Sequence, residues 1–463
     1  HPPMTVADAP KRPVARFLEG SLLRHVTVMS VTSSVGLVAM FFVEFLDMIF
    51  ISMLGQAELA AAVGYAGVVS FFTASVGIGV SIAAGALVAR CLGAGEGDEA
   101  RACATDALFF GLCTALVVTA VVMATLPFWI SLVGATGETH RLTLEYLYII
   151  VPSMPILLLG MASGAILRAH GDARRSMYST LAGGFVNLVM DPILIFGFGL
   201  ELRGAAIATV LARSAVLAMA LWPLLRHHHA LAAFDFAGFR AKLPAFLAIA
   251  APAIATNVAT PVGNAWVIRA MAEHGEAAVA GMAIVSRMTP VSFGVVFALS
   301  GAIGPIIGQN FGARQHERVR QAFVEGLRFA AVYVIGATAL LFLFRAPIAD
   351  LFGAVGITRE LLYLFCGPLA LMFFFNAAIF VGNAAFNNLG RPIFSTLVNW
   401  GRNTLGTIPF VLLGSAWLGA PGVLIGQAAG GVIFALIATW GAFRVMRWQA
   451  GRFPRTPEPA AKP

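Results

Sequence analysis

The sequence predicts an all-α membrane protein of twelve transmembrane helices arranged as two similar six-helix halves. Three observations carry this. Hydrophobic residues make up 59% of the 463 and charged residues only 11%, which leaves too little polar surface to cover a soluble globule. A helix of about 20 apolar residues crosses a bilayer core of about 30 Å, and the chain contains a dozen such runs separated by short polar or Gly-containing breaks. Thirdly, the chain repeats itself: "GALVARCLGAGEGDEARACATDAL" (85–108) aligns without a gap on "GPIIGQNFGARQHERVRQAFVEGL" (304–327).

In chain order the spans are expected near 25–52, 60–89, 104–133, 143–168, 176–198, 204–225, 244–272, 278–309, 327–349, 360–387, 394–417 and 421–443. The short alternating segments of a membrane barrel are absent. Arg101 falls on Arg320, Gly171 on Gly390, Ser176 on Ser395 and Trp222 on Trp440. Each copy holds six spans, so the halves share one topology and an axis along the membrane normal should relate them. The domain reading is therefore a disordered tail 1–20, a first lobe 21–226, a linker 227–243, a second lobe 244–448 and a disordered tail 449–463.

Basic residues set the orientation, because cytoplasmic loops collect Lys and Arg. With both termini cytoplasmic, the outer side holds only Arg141, Arg203, Arg345 and Arg359, while Arg213, Arg269, Arg287 and Arg402 lie inside spans. All the others, from Lys11 and Arg12 to Arg455 and Lys462, rim the inner face. The net charge of +8 is thus a property of one membrane face, and no nucleic-acid partner is implied. The expected location is the bacterial inner membrane. Cys91, Cys103, Cys113 and Cys366 fit no metal spacing and read as reduced apolar fillers. His227, His228 and His229 sit beside the headgroups, and no metal site is assigned to them.

Within this apolar background, "GFVNLVMDPILIFGFG" (184–199) places Asn187 and Asp191 four apart, on one helix face. A carboxylate at the centre of a span costs about 2.5 kcal/mol or more, so it is partnered or stands on an ion pathway. Pro192 follows and removes a backbone donor. The first span adds Glu44 and Asp47, and the sixth adds Thr209. Both readings of the acids remain open at this point: they bind the coupling ion, or they hold helices together.

The stretch "FVEFLDMIFISMLGQAELAAAVGYA", the eighth span's "IIGQNFGA", and "ILRAHGDARRSMYS" with "NLVMDPILIFGFGLELRGAAIAT" resemble the multidrug and toxic compound extrusion (MATE) transporters over roughly residues 20 to 448. The resemblance implies a V-shaped pair of six-helix lobes that exports organic, often cationic, lipophilic compounds by alternating access in exchange for H⁺ or Na⁺. It also implies that Asp47, Asn187, Asp191 and Thr209 line one polar pocket in the first lobe, beside Glu44, where H⁺ or Na⁺ is the coupling ion. The second half keeps Pro409 opposite Pro192 but has Asn264, Val267 and Ile408 opposite Glu44, Asp47 and Asp191. Coupling is therefore expected in the first lobe, Asn264 is expected on the substrate cavity, and Arg287 is either a group of that cavity or a structural donor.

Two departures from the family matter. Thr32 stands where Pro252 stands in the second half, so a proline-hinged bend of the first helix is not expected here. Members that bind Na⁺ often have an Asn where this chain has Gly164, and Arg213, one turn beyond Thr209, is either a counter-ion to the acids or a donor to backbone carbonyls. Both features favour proton coupling.

An ATP-driven pump needs a phosphate-cradling GxxxxGK[ST] loop, and none of the three lysines lies in one. Neither HExxH nor GxSxG occurs, so no enzyme is expected, nor any cofactor. A lipid-linked oligosaccharide flippase of related architecture is the alternative transporter, and a channel the alternative of another class. The partners expected are small organic substrates and the lipid bilayer, with no ATPase subunit, and the chain is expected to act as a monomer.

Overall fold

The computed structural model describes residues 15–453. Lys11, Arg12, Arg455 and Lys462 lie outside the described residues, among which every regular element is helical and no strand occurs. The helices are α1 (Leu22–Met53), α2 (Ala57–Gly93), α3 (Gly97–Val133), α4 (Gly137–Ile150), α5 (Met154–Ala169), α6 (Ala173–Pro192), α7 (Glu201–Arg226), α8 (Phe236–Ala272) and α9 (Glu276–Ser292). They continue as α10 (Gly294–Gly312), α11 (His316–Leu343), α12 (Arg345–Leu351), α13 (Gly356–Leu364), α14 (Ala370–Asn388), α15 (Ile393–Asn403), α16 (Ile408–Leu418) and α17 (Ala420–Arg452).

Eleven helical stretches among the described residues are long and apolar enough to cross a bilayer. The remaining expected span, 394–417, is broken into α15 and α16, of 11 residues each. Pro409 explains the break: a proline is tolerated in the first helical turn, where its missing N–H costs nothing, so it starts a helix instead of continuing one. Breaks elsewhere follow the same chemistry. Pro152 lies in the short turn between α4 and α5, Pro290 precedes the break at Phe293, and π-helical turns follow Pro192 (193–197) and surround Pro368 (365–369).

The tails and linker are shorter than expected. Phe17 is 2% exposed, with its N–H donating to Gln309 Oε1 at 2.9 Å and its carbonyl accepting from Asn310 Nδ2 at 3.1 Å. The segment from residue 15 is therefore packed, because it satisfies buried amides of α10. Asp235 caps α8 by accepting from Ala237 N at 3.1 Å and Gly238 N at 3.0 Å, which starts that helix eight residues earlier than the 227–243 linker allowed. At the other end α17 continues to Arg452.

Helices α1–α7 pack chiefly on one another, as α6 on α7, α2 on α5 and α1 on α6. Helices α8–α17 do likewise, as α16 on α17, α14 on α17 and α15 on α8. The exceptions join the halves at one end. The beginning of α1 (Leu22, Val26, Met29) enters the core of α10, α11 and α14, while the beginning of α8 (Phe239, Phe246, Ile249) enters the core of α2, α3 and α5. Each half thus lends the start of its first helix to the other.

Glycine makes the tightest part of this seam. A Cβ on Gly93 would stand 2.5 Å from the Gln309 carbonyl carbon, and one on Gly312 would stand 2.9 Å from that of Arg90. Gly93 and Gly312 are equivalent residues of the repeat, so α2 and α10 cross backbone to backbone through a symmetric pair. Further along, Gly79 lies against Ile254 and Gly294 against Val38.

Candidate functional site: two carboxyl groups sharing one amide

The α6 face expected from the spacing of Asn187 and Asp191 turns inward: Asn187 is 6% and Asp191 1% exposed. Helix α1 packs along α6 and brings Asp47 to the same place. The Asn187 amide nitrogen donates to Asp47 Oδ1 and Oδ2, both at 2.8 Å, and lies 3.1 Å from Asp191 Oδ2. Asp191 Oδ1 is buried with no hydrogen-bond partner among the described residues. One uncharged donor therefore serves two acids, and none of the described cations pairs with either. Pro192 ends α6 directly after Asp191, and the π-helical turn that follows widens the helix at the level of the acid.

Glu44, one turn before Asp47, is exposed and makes no hydrogen bond among the described residues. Thr209 on α7 gives its hydroxyl to Ala205 O at 3.0 Å and makes no bond to the carboxyl groups. Arg213 donates to Ile150 O at 3.1 Å and Ser153 Oγ at 2.7 Å. Of its two open roles it takes the carbonyl-binding one, filling the gap opened where the chain turns between α4 and α5. Gly164 lies against Ser176, fifteen residues before Asp191 and so about 22 Å away along the helix. Its identity has no bearing on the acid pair, which corrects the weight placed on it above. Along α1, Val38 approaches Gly294 of the second half, about 13 Å along the helix before Asp47.

Tyr146 on α4 is a member of the site that the sequence did not single out. It stands beside Thr209, within electrostatic reach of Arg213 and the two acids. A tyrosine among apolar residues gives no distinctive signal, and only the packing of α4 on α7 brings it there.

In the second half, Asn264 on α8 and Arg287 on α9 are both exposed and, among the described residues, without hydrogen-bond partners. The positions across the repeat from Asp47 and Asp191 are held by the apolar Val267 and Ile408, and α14 and α15 bring amides together elsewhere in this half. Asn399 Nδ2 donates to Asn383 Oδ1 at 3.0 Å and to Ser395 O at 2.8 Å, Asn403 Nδ2 donates to Asn399 O at 2.9 Å, and Arg402 donates to Asn376 Oδ1. Two of these bonds, Asn399 to Ser395 and Asn403 to Asn399, span i, i+4 within an apolar stretch, a spacing that was available in the sequence.

At the packed end, Asp172 caps α6 and joins His228 Nε2 at 2.8 Å and Arg175 at 2.6 Å. Burial raises the affinity of Asp172 for a proton, but these donors outweigh it and hold the carboxyl well below its usual range. Ligand atoms of Asp172, His227 and His228 lie within 4.8 Å of one another, with Arg175 already supplying a cation to the carboxylate. His170, next to them, donates from Nδ1 to Ile166 O at 2.8 Å, and burial pushes its value down to about 4. The four cysteines are free thiols.

Comparison with known proteins agrees with this architecture. The MatE family model matches residues 33–193 and 252–413, once in each half. A FAD transporter of Shewanella oneidensis is 32% identical over 88% of this chain and 92% of its own length. The multidrug export protein MepA of Staphylococcus aureus is 26% identical over 58% of this chain and 60% of its own. Among solved structures, the MATE transporter VcmN of Vibrio cholerae in its bent form superposes with a TM-score of 0.86 at 21% identity, covering 93% of this chain and 98% of that one. An outward-facing multidrug resistance MATE family transporter does so with 0.87 at 21%, covering 94% and 98%.

Proposed function

The chain belongs to the MatE family of membrane transporters, and from that premise we propose that it is a proton-coupled exporter of organic compounds. The observation that carries the proton is the position of the Asn187 amide nitrogen. A small hard cation asks for six or so oxygen ligands around one point. Here that point, between Asp47 and Asp191, is held by an N–H donor. Two carboxyl groups that share one donor, with no fixed cation to neutralise them, repel when both are charged, and one proton between them relieves this.

Transport then follows from the halves. The packed seam lies at the end that holds most of the basic loops, which the positive-inside rule makes cytoplasmic, and the acid pair lies about 13 Å along α1 beyond the approach of Val38 to Gly294. A proton arriving from outside leaves the pair with one negative charge instead of two. The repulsion that it removes changes how α1 and α6 meet at the shared amide, and rocking of the halves opens the other end. Both termini lie in the cytoplasm, in a bacterial inner membrane. The amide-lined second half contributes walls, with Asn264 and Arg287 toward substrate.

Two substrate classes divide the support. MepA, a multidrug export protein, favours organic drugs, whereas the Shewanella relative, a FAD transporter aligned over most of both chains, favours a flavin dinucleotide, whose diphosphate an exposed Arg287 suits. Transport into proteoliposomes decides both questions. A lipophilic cation and FAD are each offered under a pH gradient alone and under a Na⁺ gradient alone. Movement driven by the pH gradient supports the reading, and movement driven only by Na⁺ at clamped pH overturns it.

A further inference from the structure

At the packed end of the bundle a second site is built entirely from groups that the transport reading does not use. A cavity of about 480 Å³ opens between the halves. Its walls carry four guanidinium groups, those of Arg90, Arg314, Arg391 and Arg452, and no carboxylate. None of the four pairs with an acid anywhere among the described residues. Elsewhere on the same face arginines do find acids, as Arg320 finds Glu317 at 2.7 Å and Arg175 finds Asp172.

Three of the four are nonetheless held in place. Arg391 and Arg452 stack on Trp448, 4.2 Å and 5.1 Å from its ring centre, and Arg90 lies 5.8 Å from that of Phe311. Arg90 comes from α2 and reaches across the seam to donate to the carbonyls of Asn388 at 2.8 Å and Asn387 at 2.9 Å. Arg314 is in the left-handed region at φ 56°, at the position where the first copy of the repeat has Gly95 at φ 78°. An arginine there costs about 1 kcal/mol of backbone strain that glycine avoids. Four like charges gathered around one cavity, one of them on a strained backbone, require an anion to balance them.

We propose that this cavity binds the phosphate headgroup of an anionic membrane lipid. Three features fit that occupant. The phosphate takes charge-assisted hydrogen bonds from planar guanidinium groups, and the cavity is large enough for a glycerophosphate. Trp448 is 43% exposed and is the side chain that belongs at the boundary between headgroups and acyl chains. Because Arg90 belongs to the first half and the other three to the second, the site is complete only while this end of the molecule is closed. Bound lipid therefore favours the closed end and opposes the rocking step.

The test is thermal stability of the full-length protein in neutral detergent with phosphatidylglycerol, phosphatidylcholine or inorganic phosphate added. Phosphatidylglycerol is expected to raise the melting temperature and phosphatidylcholine is not. The double variant Arg391→Gln, Arg452→Gln, which spares the seam contacts of Arg90, is expected to weaken the lipid response about thirtyfold in concentration, or about fivefold per arginine. Arg226→Gln with Arg240→Gln, exposed on the same face but away from the cavity, is expected to leave it intact. Equal protection by both lipids, an unchanged response in the Arg391/Arg452 variant, or full protection by inorganic phosphate alone would each overturn the lipid assignment.

Discussion

Replacing Gly93 with alanine should shift the protein toward the state in which its packed end is open. The new Cβ would stand 2.5 Å from the Gln309 carbonyl carbon, where carbon atoms settle at about 3.5 Å, so α2 and α10 must part by about 1 Å. The obstacle is backbone, and no side chain can swing aside to relieve it. Overpacking of this kind costs about 1–3 kcal/mol, and at about 2 kcal/mol the ratio of closed to open molecules falls about thirtyfold. Gly312→Ala meets the Arg90 backbone in the same way. Because one parting of the helices makes room for both methyl groups, the double variant should be little worse than either single one. Spin labels placed at Met53 and Ile268, the far ends of α1 and α8, after the four cysteines are replaced by serine, measure the opposite opening. Their separation should shorten in the variants. A distance distribution identical to that of the parent would refute the reasoning, since it would mean that the glycines do not hold this end shut.

Three other outcomes follow from the structure. Asp191→Asn and Asp47→Asn should each insert and fold yet lose gradient-driven export, with Glu44→Gln much milder. If the Asp191 variant is unstable but its folded fraction transports at the parental rate, the carboxyl is only a helix tie. Arg213→Gln removes two donors from the turn between α4 and α5 and should lower stability by about 1–3 kcal/mol while leaving the choice between H⁺ and Na⁺ unchanged, as read by melting and by transport. His170 is held neutral by burial, from 6.5 down to about 4. The unfolded chain thus takes up a proton that the fold refuses, so its contribution is complete above pH 6.5 and is lost as pH falls toward 4. His170→Gln should flatten about 3 kcal/mol of that slope, and an unchanged melting profile between pH 4 and 6.5 would rule the effect out.

The sequence by itself determined the class of fold, because burying a helical backbone in lipid requires long apolar runs, and these are visible one residue at a time. It also determined the repeat, and with it that Gly93 and Gly312 are equivalent, and it placed Asn187 and Asp191 on one face of a helix. It did not determine what that face meets. Asp47 is 140 residues from Asn187 along the chain, and only the packing of α1 on α6 makes them share an amide. Arg213 was undecided for the same reason: its side chain is long enough to reach either an acid or a carbonyl, and the turn between α4 and α5 settled it by presenting unsatisfied oxygen atoms. Gly164 shows the opposite error, since a position judged by its neighbours in a motif proved to be about 22 Å from the site. The four arginines of the cavity come from four separate stretches, and nothing local marks them. Periodicity and composition are local properties that a sequence carries openly, whereas a site made between helices depends on which faces come to lie against each other.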